Sequence, residues 1–249
     1  VTFLQAMNGP IPGARNNLLG SLAPEDLEAL APHLKPAALA KGALLYDPGD
    51  EIDTVYFPHN AVISLMTLMQ GGEAIESATI GREGALGLPS ALSPRRSLSR
   101  AIVQVAGDAS CIEAARLAER LDRSPRLREL IDRHSDALFG HAIQSVACNA
   151  LHSVEARFCR WLLSCHDRID SDRVSLTQEF LADMLGVQRT TVTVVARTLQ
   201  AAGLIRYSRG VVDILDRAGL EAISCECYRR VRDNYERLLD MDFDQRLAG

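Results

Sequence analysis

Residues 177–197, TQEFLADMLGVQRTTVTVVAR, carry the local marks of a helix-turn-helix. Thr177 is placed to cap the amides of a first helix. Ala182 is small, as a close helix crossing requires, and Gly186 stands at the turn, where a positive φ is useful. Leu181, Leu185, Val187, Val192 and Val195 recur at the spacing that buries one side of both helices. The second helix then presents Gln188, Arg189, Thr190, Thr191, Thr193 and Arg197. A recognition helix shows such a polar face when it lies in a major groove. With Thr177 and Gln178 from the first helix, these are the expected DNA contacts. The competing reading is an ordinary helical hairpin.

The flanking chemistry favours DNA. The chain is acidic, with net charge −5, yet residues 184–212 contain no Asp or Glu and hold Arg189, Arg197, Arg206 and Arg209. Arginines without acidic neighbours suit phosphate contact. Residues 203–207 read as a strand, Ser208-Arg209-Gly210 as a tight turn and residues 211–215 as the return strand. This is a wing with Arg209 at its tip, a further expected DNA contact.

Upstream, the pattern changes. Residues 16–39 read as one or two short helices, with Pro24 at a helix start and Pro36 as a breaker. Short β-type runs follow at 43–46, 54–57, 61–66, 75–80, 101–105 and 109–112, separated by Gly, Pro, Asn and Asp turns. Regular short strands imply an antiparallel roll or jelly roll. Residues 125–152 then contain no Gly or Pro beyond Pro125 and Gly140, and their apolar residues recur at helical spacing, so a single long helix is expected. Dimerisation is its expected role, because two recognition helices on adjacent major grooves require a two-fold axis. Leu127, Ile131, Leu138 and Ala142 are the expected seam. The competing role is to cover the β region.

The fold class is therefore α+β: a β-roll over 16–124, a dimerisation helix over 125–152, and a winged helix-turn-helix over 153–249 with a helical tail. With 249 residues, 47% of them hydrophobic and 24% charged, the chain can bury a full core. No apolar run is long enough for a membrane span. The start begins with Val rather than Met, which reads as trimmed, and has no apolar signal core, so a cytoplasmic location is expected. Gly9, Pro10, Pro12 and Gly13 suggest a loose arm. Cys111, Cys148, Cys159, Cys165, Cys225 and Cys227 include no C-x-x-C pair and read as reduced thiols, with no metal site expected.

This order of parts resembles the Crp/Fnr family of bacterial transcription regulators over residues 18–228, most closely at 177–205 and at Gly81-Arg82-Glu83-Gly84-Ala85-Leu86-Gly87. The resemblance implies a homodimer on palindromic promoter DNA, often controlled by a signal in the β-roll, with RNA polymerase as a further candidate partner. It marks Gly84, Ala85, Leu86, Gly87, Ser99 and Arg100 as the candidate effector pocket. The cyclic-nucleotide members place a Glu where this chain has Ala85, and an Arg one residue before Arg100. One residue on a strand exchanges its two faces. No cyclic nucleotide is therefore expected, and the effector is left unknown. Oxygen-sensing members gather N-terminal cysteines around iron and sulfur, but here no cysteine precedes Cys111, so no iron–sulfur cluster is expected. Haem is not expected either, although His33, His59, His134 and His141 are conceivable ligands. In the reading helix, Arg189 matches a family arginine, whereas Thr190 and Val194 replace a Glu and a second Arg. The operator should differ accordingly.

Two alternatives compete. One is a constitutive DNA-binding dimer whose β-roll senses nothing. The other is a cupin-type metal enzyme, but the β region lacks an H-x-H cluster, and no nucleophile elbow, P-loop or Rossmann glycine signature occurs. No enzymatic activity is expected.

Overall fold

The computed structural model describes residues 15–93 and 95–241. The arm expected around Gly9 to Gly13 lies outside the described residues. Helix α1 (Asn17–Gly20), capped by Asn16, leads to α2 (Pro24–Leu30), which starts with Pro24 as expected, and to a 3-10 turn at Ala31–His33. Strands β1 (Lys35–Leu39), β2 (Leu44–Tyr46), β3 (Thr54–Pro58), β4 (Val62–Leu68), β5 (Ala74–Ile80), β6 (Arg100–Val105) and β7 (Gly107–Glu113) follow. They form two antiparallel sheets, ordered β1-β7-β3 and β2-β6-β4-β5. Strand β1 corrects the helical reading of residues 16–39. The run KPAAL has no β-branched residue and a Pro, so its local signal is weak. It is an edge strand paired only with β7, where a proline is tolerated.

Between the sheets, Leu39, Tyr46, Ile63, Ile80, Leu86 and Val103 make a closed apolar layer. The strand alternation sends Val55, Phe57 and Ile112 the other way, into a second core. That core is covered by α1, α3 (Ala114–Leu121) and the first half of α4 (Pro125–Leu151). Helix α4 is the long helix expected, with Ser124 accepting from the Leu127 amide and Pro125 at the first turn.

Helix α5 (Val154–His166) opens the C-terminal half. After it come β8 (Arg173–Ser175), α6 (Gln178–Leu185), α7 (Arg189–Ala201), β9 (Ile205–Ser208), β10 (Val211–Ile214), α8 (Arg217–Ile223) and α9 (Cys227–Leu239). The wing has a third strand, β8, paired with β10, which sequence reasoning missed because three residues show no period. Helix α9 does not trail away. It packs on α4 where Gly140 allows close approach; a Cβ there would meet Asn234 Nδ2 at 2.7 Å. Tyr235 is fully buried in the second core, edge-on to His141.

The outer face of β2-β6-β4-β5 is also covered. Val62, Met66 and Val105 join Phe158, Trp161, Leu181, Leu185 and Val192 in one core that spans both halves of the chain. Trp161 Nε1 donates to Glu76 at 3.1 Å, and Ser64 Oγ donates to the same buried carboxylate at 2.6 Å. Among the described residues, no helix is long and apolar enough to cross a membrane.

Candidate nucleic-acid interface

The reading unit is built by local rules. Thr177 Oγ1 accepts from the Phe180 amide at 3.3 Å and starts α6. Gly186 ends it at φ 61°, and the Val187 amide closes back on Ala182. Gln188 is the N-cap residue of α7, although its side chain makes no cap bond. Leu181, Leu185, Val192, Ala196 and Leu199 are buried on the shared side. Gln188, Arg189, Thr190, Val194, Arg197 and Thr198 are exposed on the other.

The expected contacts do not behave alike. Thr177 is occupied with capping. Thr191 and Thr193 are half-buried, and Thr193 Oγ1 donates to Gln178 Oε1 at 3.2 Å. Gln178 also accepts from Arg189 Nε at 3.3 Å, and Arg189 forms an ion pair with Glu179. Arg189 therefore has an acidic partner, which corrects the expectation of four uncompensated arginines. The acid lies on the preceding helix, just outside the acid-free stretch, and both side chains are exposed. Arg197, Arg206 and Arg209 are exposed and have no acidic partner among the described residues.

The wing turns through Arg209 at φ 51° and Gly210 at φ 76°, two consecutive left-handed residues as a tight hairpin needs. It is pinned to α7 by the Tyr207 amide donating to Gln200 Oε1 at 2.8 Å, and to the α6 approach by Tyr207 OH donating to Leu176 O at 3.1 Å. The β-roll touches this unit from behind. Lys41 Nζ donates to Ser175 O at 2.7 Å and stands over the Phe180 ring, while Ile75 packs against Gly186.

The expected effector residues are each engaged within the fold. Ala85 is buried, and its amide donates to His134 Nε2 of α4 at 3.2 Å. A Cβ on Gly84 would sit 2.5 Å from that same nitrogen, so the loop is seated directly on the long helix. Leu86 pairs with Tyr56 and fills the layer between the sheets, and Gly87 turns the chain at φ 88°. Arg100 is doubly hydrogen-bonded to Asp47 at 2.9 and 2.8 Å. The Ser99 carbonyl accepts from Ser97 Oγ. Of the candidate haem ligands, His33 is exposed, His59 meets Ser110, and His134 and His141 are buried in separate contacts.

The expected seam divides. Leu127 and Ile131 are buried in this chain's own core, and Leu138 and Ala142 are half-buried, Leu138 against the β layer. The large exposed apolar residues of α4 are instead Phe139, Ile143, Val146 and Leu151. Sequence periodicity reveals an apolar stripe but not which apolar face is already covered.

Residues 156–223 match the family model described as a Crp-like helix-turn-helix domain. No curated protein sequence matches the chain. Among solved structures, FixK2 from Bradyrhizobium japonicum is similar with TM-score 0.66 at 15% identity, covering 77% of this chain and 98% of that one. TTHB099, a CRP-family regulator from Thermus thermophilus, gives 0.60 at 22% identity, covering 76% and 96%. CLP from Xanthomonas campestris, described as a c-di-GMP-responsive global regulator, gives 0.58 at 16%, covering 77% and 99%. Residues 156–223 thus carry a Crp-like helix-turn-helix domain, and the chain shares the fold of solved Crp/Fnr-family regulators.

Proposed function

We propose that this protein is a DNA-binding transcription regulator of the Crp/Fnr type, that it binds a two-fold symmetric DNA site as a homodimer in the cytoplasm, and that cyclic AMP does not control it. The observation that carries the DNA reading is the exposed face of α7 beside a rigidly pinned wing, with Arg197, Arg206 and Arg209 unpaired by acid among the described residues. Arg189 is proposed as a base reader, to be released from Glu179 when DNA arrives. Val194 offers apolar contact to a thymine methyl. Arg189→Ala is expected to cost about 1–3 kcal/mol and to relax specificity at one base position. Arg209→Ala should weaken all sequences evenly and make the salt slope shallower by about one. Fluorescence titrations of selected and scrambled DNA over a salt series check both. Wild-type behaviour of both variants would remove this reading surface. The same titrations with and without cyclic AMP should coincide, since Ala85 offers no carboxylate and Arg100 is held by Asp47.

For the dimer, Phe139, Ile143 and Val146 are the proposed seam. They are spaced as one helical stripe and are 67%, 55% and 72% exposed in the single chain. Ile143→Lys is expected to weaken association by about 2 kcal/mol, roughly thirtyfold, and DNA binding with it. Sedimentation equilibrium reads the change. An unaltered dimer would move the seam off this stripe.

A further inference from the structure

We propose that Cys148, His152, Cys225 and Cys227 bind one zinc ion in a closed Cys3His site. The last turn of α4 supplies Cys148, and His152 follows four residues later at the helix C-cap. The junction of α8 and α9 supplies Cys225 and Cys227 on either side of Glu226. The four ligand atoms all lie within 4.8 Å of one another. Cys148 Sγ is 3.5 Å from Cys225 Sγ, and Cys227 Sγ is 3.5 Å from His152 Nδ1. A tetrahedron with zinc–sulfur bonds of about 2.3 Å and zinc–nitrogen bonds of about 2.0 Å has edges of roughly 3.5–3.8 Å. A disulfide would need sulfurs about 2.05 Å apart, so this pair is not one.

The surroundings fit a metal better than three idle thiols. All three cysteines are buried, and together they form a small cluster of their own. His152 faces the thiols with Nδ1 while its Nε2 meets Glu226 Oε2 at 3.2 Å. That is the carboxylate–histidine arrangement which fixes the tautomer of a metal-bound imidazole. Gln144 Nε2 donates to Cys227 Sγ at 3.0 Å, as it would to a thiolate. Three thiolates around a divalent ion leave one net negative charge. Arg157 and Arg160 on α5 lie within electrostatic range of Cys148 and Cys225 to offset it. Four protein ligands with a soft majority select zinc in a structural role, with no open position for catalysis.

The ion would tie the end of α4 to the segment between α8 and α9, across the junction where α5 begins. Sequence spacing hides the site, because its halves are a C-x-x-x-H and a C-x-C separated by more than seventy residues. The spacing expectation of no metal is replaced accordingly.

The test is elemental analysis and cobalt titration of the full chain purified under reducing, oxygen-free conditions. One zinc per chain is expected. After its removal by chelation, Co2+ should restore one equivalent with tetrahedral ligand-field bands and thiolate-to-cobalt charge transfer. The double variant Cys225→Ala/Cys227→Ala should lose the metal, while Cys159→Ala, at a buried thiol outside the cluster, should keep it. Glu226→Gln should retain the stoichiometry at saturation and weaken affinity by about 10–100-fold. The last variant removes only an exposed carboxylate, so its folding is not in question. Three results would overturn the proposal: no uptake of zinc or cobalt by the reduced wild type, metal retained by the double variant, or iron with acid-labile sulfide in place of zinc.

Discussion

Arg168→Leu should lose about 3–5 kcal/mol of folding stability, because it strands a buried carboxylate. Glu83 is fully buried and receives Arg168 Nη2 at 2.8 Å and Nε at 3.0 Å, with a further amide from Gly81 at 3.1 Å. Burial pushes the Glu83 carboxyl up, but the charge and hydrogen bonds of Arg168 outweigh it and hold the group below its ordinary value. The pair joins the β5-to-Gly87 loop to the chain just after α5, so it ties the β-roll half to the reading half. Gly81 belongs to the same device, since a Cβ there would strike the Arg168 side chain. Urea denaturation measures the loss. The double change Glu83→Leu/Arg168→Leu should recover most of it, because an apolar pair of similar volume is nearly neutral in place of a buried ion pair. A double variant as unstable as the sum of its singles would show that the two charges are not coupled.

The second large effect is acid instability centred on His134. Burial lowers its imidazole from 6.5 to about 4, with Glu83 opposing. The native state therefore keeps it neutral, as an acceptor for the Ala85 amide. As pH falls from 6.5 toward 4, the unfolded chain binds a proton that the native chain refuses, and stability falls by about 3 kcal/mol. His141 is also held well below its ordinary value by burial and adds in the same direction. Glu83, held low, contributes stability that is lost only at more acid pH, as the solution falls through its folded value. Glu76, raised by burial, works in the opposite sense on the less acid side of 4.5. A difference between variants isolates the histidine. His134→Gln keeps an acceptor and removes the titration, so its stability relative to wild type should improve by about 3 kcal/mol between pH 7 and pH 4. Parallel stability curves for the two proteins would exclude His134 as the source.

The helix-turn-helix was legible because each of its signals is local: a cap three residues from the amide it satisfies, a glycine at the αL turn, and a 3.6-residue apolar period. The same holds for the six strands with β-branched or aromatic runs, for the wing, and for α4 with its Ser124 and Pro125 start. Edge strands β1 and β8 escaped because only their partners make them strands. Tertiary packing alone decided the rest. It paired Arg189 with Glu179 and Arg100 with Asp47. It buried Leu127 and Ile131 within the chain while leaving Phe139, Ile143 and Val146 outside. It joined Glu83 to Arg168 across 85 residues, and Cys148 to Cys225 across 77. A helical or alternating pattern reports which faces are apolar. It carries no record of which face the rest of the chain has already covered, nor of which distant charge or thiol the fold brings within hydrogen-bonding reach, because those depend on contacts formed after the elements themselves.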